Sequence, residues 1–295
     1  MVNFIKGDLL LILATAIWGI SFPLMRNLSR WGGVMNLVTL RFIIASIFLY
    51  LIFYKKVNSI DMKNLIFSFF NGLLLMLSFM VLAFGQTYAS ALNSSFIMGL
   101  TIVFVPLLAS FILKKKLSKA NLAAIVISLL GIFFISGGIR LSIGAGEIII
   151  FASMLLFSCH IVQSDHFISK GADTVTVGVM QNVCAALLSI PIWLVTGIGE
   201  VEITRLVIIQ LIVLGVFCTA IAFTLMICAQ KYMPPSRVGL ILGAEPVFGA
   251  VFSVIIPDFN GIRETFYLHH LIGSIFIISA IIISEIFSSK QKLHA

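Results

Sequence analysis

Two ionisable side chains, Glu245 and Arg41, lie inside long apolar stretches of a 295-residue chain, and chemistry is expected to start from them. Glu245 is followed by Pro246 in the apolar run 232–257. A proline has no backbone N–H and disfavours helical geometry at the residue before it, so the sequence predicts a carboxylate at a helix break. An ionisable group near the middle of a membrane span costs about 2.5–3.5 kcal/mol on insertion scales and is expected to face a cavity or a partner. Glu245 is therefore a candidate coupling residue that takes up and releases a proton; the plainer reading is that it serves backbone donors at the break or pairs permanently with a cation. Arg41 keeps its charge and needs a carboxylate, a set of carbonyls or an anionic substrate. Glu245 is its natural partner: a fixed bridge would make both structural, whereas a substrate carrying an ammonium and a carboxylate could replace each in turn.

Five further polar or amphipathic side chains fall inside apolar runs: Trp18, Asn93, His160, Gln163 and Gln181. Hydrocarbon penalises such groups, so each is expected to turn inward, either to hydrogen-bond between helices or to meet a substrate. With Arg41 and Glu245 they make the candidate substrate site. The motifs of enzymes are missing: there is no H-E-x-x-H, no G-x-S-x-G and no G-x-x-x-x-G-K-[ST]. The four cysteines sit in apolar segments without C-x-x-C spacing, as small hydrophobes do. No catalytic residue, metal site or cofactor is expected, and an intramembrane enzyme is the least favoured reading.

These residues must be positioned by membrane helices. The chain is 60% hydrophobic and 10% charged, with mean hydropathy +1.17, outside the range of soluble domains. Residues 64–113 hold no Asp, Glu, Lys or Arg, enough for two spans and a hairpin. Ten spans are predicted, at 8–27, 34–54, 64–83, 88–113, 120–139, 147–167, 175–196, 205–229, 236–257 and 267–287. The first is read as a retained span and not a cleaved signal. Short connections leave no extramembrane catalytic domain. The net charge of +8 reflects topology and not a nucleic-acid partner: with the N-terminus inside, thirteen lysines and arginines fall inside and five outside. Both termini are expected in the cytoplasm, and the lipid bilayer and a small-molecule substrate are the expected partners. The oligomeric state is left open, with a monomer sufficient.

Residues 88–113 align with residues 232–257 without gaps: Tyr88 on Tyr232, Gly99 on Gly243, Thr101 on Glu245, Phe104 on Phe248. Each half, 1–140 and 147–287, holds five spans, with 288–295 as a short tail. An odd number of spans per copy forces the second copy to be inverted. Gly99 and Gly243 are candidate hinges. The break in the second half is expected at Pro246; the first half has Ile102 there, so its break is expected one turn later, at Pro106. The expected fold is all-α, ten transmembrane helices in two inverted five-helix repeats.

Trp18-Gly19, Arg41-Phe42 with Ala45, Ser90-Ala91 with Asn93 and Phe96, the run from Val103 through Pro106 to Leu108, and Ala244-Glu245-Pro246-Val247-Phe248 together resemble the EamA-type members of the drug/metabolite transporter superfamily over nearly the whole chain. The resemblance implies a bacterial inner-membrane exporter or permease for small metabolites such as amino acids, with a central cavity between the halves. Family members often carry Gly-Glu just after spans 4 and 9. This chain has Lys114, Lys115 and Lys116 at the first place and Pro257-Asp258-Phe259-Asn260 at the second, so no role of that acidic position carries over. A secondary transporter working by alternating access is the leading expectation, with proton coupling through Glu245 a candidate driving force; a passive channel is the alternative.

Overall fold

The computed structural model describes residues 2–114, 119–135, 144–196 and 203–293, and among them every regular element is helical. The chain forms α1 (Val2–Gly32), α2 (Val34–Asn58), α3 (Met62–Gln86), α4 (Ala91–Gly99), α5 (Thr101–Leu113), α6 (Lys119–Ile135), α7 (Ala145–Ser169), α8 (Thr174–Thr196), α9 (Arg205–Ile212), a π-helical segment Val213–Ile221, α10 (Ala222–Gln230), α11 (Pro235–Leu242), α12 (Glu245–Ile255) and α13 (Leu268–Leu293). Grouped through their breaks, eight stretches of the described residues are long and apolar enough to cross a membrane: Ile5–Arg30, Val34–Asn58, Met62–Gln86, Ala91–Leu113, Ala145–Ser169, Thr174–Thr196, Arg205–Gln230 and Pro235–Ile255. The expected spans at 120–139 and 267–287 coincide with shorter apolar stretches, Leu122–Gly131 and Leu268–Ile283, in α6 and α13. The fold is that of a multi-pass membrane protein. Residues 136–143, between the two expected repeats, lie outside the described residues, and the expected tail at 288–295 is a continuation of α13 as far as Leu293.

Local chemistry explains where the elements start and stop. Asp61, Ser90 and Thr204 cap α3, α4 and α9 by accepting from the backbone N–H three residues on, at 2.8, 2.9 and 3.3 Å. Gly33 and Gly171 separate α1 from α2 and α7 from α8 with φ of 80° and 83°, values a side chain would strain. Between α7 and α8, Asp173 gathers three elements: its carboxylate accepts from Lys56 Nζ at 2.8 Å at the end of α2 and from Thr176, and its N–H donates to Asn64 of α3 at 2.9 Å.

Partial burial of Asp173 opposes ionisation, but the hydrogen bonds and charge of Lys56 and the bonds from Thr176 outweigh it and hold the carboxyl below its ordinary value. A depressed carboxylate stabilises above its unfolded pKa and loses that stabilisation as pH falls through the folded value. The pair is half-exposed, so Asp173→Asn is expected to cost less than about 1 kcal/mol at neutral pH. The loss should shrink below pH of about 4. Melting curves of both proteins against pH check this; a gap that widens in acid contradicts it.

In both broken spans the break falls in the same place. α4 ends at Gly99 and α5 begins at Thr101; α11 ends at Leu242 and α12 begins at Glu245. Pro246 occupies the first turn of α12, where its missing N–H costs no helical bond. The expected break at Pro106 is not found: α5 runs through Pro106, and the discontinuity lies at Leu100, one residue after Gly99. Close packing against the facing span, and not a proline in its own helix, marks this break, because the two breaks lean on each other. A Cβ on Gly99 would collide with the Pro246 ring, and one on Gly243 would stand 2.7 Å from Ile102 Cδ1. In the alignment Gly99 matches Gly243 and Ile102 matches Pro246, so these two contacts are one contact made twice. A second such pair is Gly239 against Val105 (2.8 Å) and Gly249 against Ser95 (2.5 Å).

Candidate functional site

Where the breaks meet α1, α3, α7 and α10, a small cavity of about 10 Å³ is lined by Trp18, Ser21, Phe22, Phe79, Leu82, Met98, Phe157, Phe223 and Glu245. That is room for one water molecule. Glu245 is buried at the first residue of α12, at the positive end of the helix dipole. Its carboxylate accepts no hydrogen bond from any described residue, and Oε2 is wholly enclosed. Around it the rings form a continuous aromatic wall. Trp18 meets Phe157 edge-on at 5.9 Å and Phe223 at 4.8 Å, and Phe79 meets Phe223 at 5.4 Å.

One ring of the wall, Trp18, is held by the π-helical segment. Its i→i+5 bonding shifts the hydrogen-bond register by one residue, and the Thr219 Oγ1 hydroxyl donates to the Leu214 carbonyl five residues back at 2.6 Å. The Cys218 carbonyl is then offered to Trp18 Nε1 at 2.9 Å, which fixes the indole ring. Thr219 Oγ1 also accepts from Arg41 Nε at 2.9 Å.

The expected pairing of Arg41 with Glu245 is not formed. Arg41 is fully buried, its guanidinium lies 4.1 Å from the centroid of Phe79, Nη1 lies 3.0 Å from the Met25 sulfur, and Nη2 has no partner. The Phe79 ring is thus shared: it receives Arg41 and also lines the cavity that holds Glu245. Cation–π contact substitutes for a counter-ion here.

The other expected site residues divide. Trp18 and Glu245 share the cavity and Arg41 lies behind its wall. His160 is one layer further out, stacked on Phe157 at 5.8 Å with Nε2 2.9 Å from Gln181 Oε1. These two share one hydrogen bond, while His160 Nδ1 and Gln181 Nε2 stay unpartnered. Gln163 donates to Asn71 Oδ1 at 2.9 Å and lines a separate groove of about 290 Å³ with Cys159, His166 and Phe167. Asn93 lies apart from this cavity: it is an exposed residue of the first turn of α4, and Nδ2 donates to Glu147 Oε1 at 3.1 Å. The helix start capped by Ser90 sets its depth. Phe79, Phe157 and Phe223 were not foreseen, because phenylalanine is also the ordinary lipid-facing residue.

A carboxylate without a partner, walled by aromatic rings, is chemically suited to a cation: the rings attract it through their faces and the carboxylate neutralises it. Among the described residues no group of three or more His, Cys, Asp or Glu side chains could hold a metal ion.

Known proteins agree with a transport role. An "Uncharacterized transporter" of Archaeoglobus fulgidus is 27% identical over 86% of this chain and 79% of its own length. Another "Uncharacterized transporter", of Methanothermobacter thermautotrophicus, is 24% identical over 66% of this chain and 56% of its own. A protein of known crystal structure superposes with a TM-score of 0.76 at 15% identity, over 97% of this chain and 98% of that one, which establishes the likeness of fold. The description of the EamA-like transporter family matches twice, at residues 5–137 and again at 144–285. The chain belongs to the EamA-like transporter family.

Proposed function

We propose that the protein is a secondary transporter, an exporter or exchanger, that moves small polar metabolites such as amino acids across the bacterial inner membrane by alternating access, with the site between Trp18 and Glu245. The observation that carries this reading is the unpartnered Glu245 carboxylate facing an aromatic cavity. An ionised carboxylate buried there is unfavourable until a proton or an organic ammonium neutralises it. The two cannot occupy it together, and competition of this kind couples substrate movement to proton movement. The cavity admits one water, so binding of a metabolite requires the helices around it to separate.

Ten spans in two inverted repeats give that separation a mechanism. The doubled contacts at the breaks support this layout, as do the two family matches, one in each half. So does a third pair: Gly7 packs on Tyr232 and Gly146 on Tyr88, at 3.0 and 2.9 Å from a Cβ, and Tyr232 and Tyr88 are matched in the alignment. The charge bias supports a cytoplasmic N- and C-terminus.

Purified protein in liposomes, screened against amino acids, polyamines and nucleobases by flux and thermal shift, tests the assignment. Ammonium-bearing compounds are expected to bind and to be carried saturably. A response confined to compounds without a cationic group would overturn it.

A further inference from the structure

α1 is held at both ends as well as in the middle. Near its start Asp8 accepts from Arg237 of α11 in a two-point bridge, Oδ1 to Nε at 2.8 Å and Oδ2 to Nη2 at 2.6 Å. Near its other end Arg26 Nη1 donates to Glu264 Oε1 at 3.0 Å, and Asn27 Nδ2 donates to the Pro257 carbonyl at 3.1 Å. Asp8 and Arg26 are separated by roughly 27 Å of helix rise, close to the thickness of the hydrocarbon core. The two bridges therefore stand near opposite ends of the bundle, at the two mouths of the proposed transport path. Midway, Gly19 lies against Phe248 and Gly249 of α12 so closely that a Cβ would strike the Phe248 side chain.

The two mouths are not built alike. In the repeat alignment Arg237 matches Asn93, and the Gly7-Asp8 pair matches Gly146-Glu147, as the glycine contacts with Tyr232 and Tyr88 indicate. The image of the Asp8–Arg237 bridge is thus the Glu147–Asn93 hydrogen bond, where an amide replaces the guanidinium. The ion pair at that mouth is made instead by Arg26 with Glu264, in the segment between α12 and α13 that carries about five residues more than the first half. Glu264 also accepts from the Ala91 and Leu92 N–H groups at 3.0 and 3.1 Å, so it ties α1 to the start of α4.

We propose that Asp8–Arg237 and Arg26–Glu264 are alternating latches, one at each mouth, and that α1 rocks on α12 about the Gly19–Phe248 contact so that opening one latch tightens the other. The proposal rests on the alternating-access reading. Arg237, Asp8, Arg26 and Glu264 become positioning residues for transport, although none touches the cavity. The four side chains are mostly buried, so each latch is worth more than a surface pair.

Hydrogen exchange of the full chain in lipid nanodiscs tests this without any substrate. In Asp8→Asn the amides of Arg237 and Val238 are expected to exchange roughly tenfold faster, about the worth of one charged hydrogen bond, while Asn93 and Ser94 exchange more slowly. In Glu264→Gln the pattern should reverse. Asp8→Arg with Arg237→Asp should restore the wild-type pattern, which a defect of folding would not. Loosening confined to the mutated end, or of both ends together, would overturn the latches. Reciprocal exchange without any flux would refute the transport reading and leave the latches standing; flux without reciprocity would do the opposite.

Discussion

Glu245→Gln is expected to abolish pH-driven flux while leaving the protein assembled and at least as heat-stable as the wild type. The amide keeps the shape of the carboxylate but carries no charge and releases no proton. Because Glu245 has no hydrogen-bonding partner among the described residues, no network collapses when it is changed. Removing one partner of a buried charge contact costs about 2 kcal/mol or more, so ammonium-bearing substrates should bind at least about 30-fold more weakly. Thr101, the matched residue of the first half, is buried with its hydroxyl unpartnered and offers no second carboxylate to take over. Proteoliposomes with an imposed pH gradient measure the effect. Unchanged pH-driven flux in Glu245→Gln would remove Glu245 from the coupling role.

Arg41→Met should likewise separate stability from function. Arg41 is a fully buried cation without a carboxylate partner, held by Thr219, Met25 and the face of Phe79. Replacing buried charge by an apolar side chain of similar length is often stabilising, and a gain of about 1 kcal/mol or more is expected here. At this chain length that is a rise of a few degrees in melting temperature. If Arg41 swings past Phe79 to meet a substrate carboxylate when the cavity opens, amino acids should lose affinity in Arg41→Met while simple amines keep theirs. Equal loss for both classes would make Arg41 a packing residue only, and a large fall in melting temperature would show that its bonds outweigh its burial cost.

The sequence made the helices and the second break legible because their causes are local. Charge-free runs mark spans, and Pro246 marks the start of α12. The first break, expected at Pro106, falls instead at Leu100 because its cause is not local: Gly99 gives way to Pro246, 147 residues on, and a proline inside α5 is tolerated. Asn93 is expected to turn inward because it lies in an apolar run, but it sits in the first turn of α4, after the Ser90 cap, and bonds Glu147 instead. The partner of Arg41 was hidden for another reason. The π-helical turn that brings Thr219 and the Cys218 carbonyl to Arg41 and Trp18 has no marker in the composition of residues 213–221. Phe79, Phe157 and Phe223 are individually indistinguishable from lipid-facing phenylalanines; only three-dimensional packing collects them around Glu245.

Substrate is proposed to pass through the cavity between Trp18 and Glu245 in an exchange cycle. Counterflow tests this most directly, using a labelled amino acid or amine that binds wild-type protein in liposomes. Unlabelled substrate on the far side should accelerate uptake of the label, uptake should saturate, and Trp18→Ala should abolish both effects while leaving the helical content intact. Uptake that rises linearly with concentration, ignores substrate on the far side and survives Trp18→Ala would contradict the account.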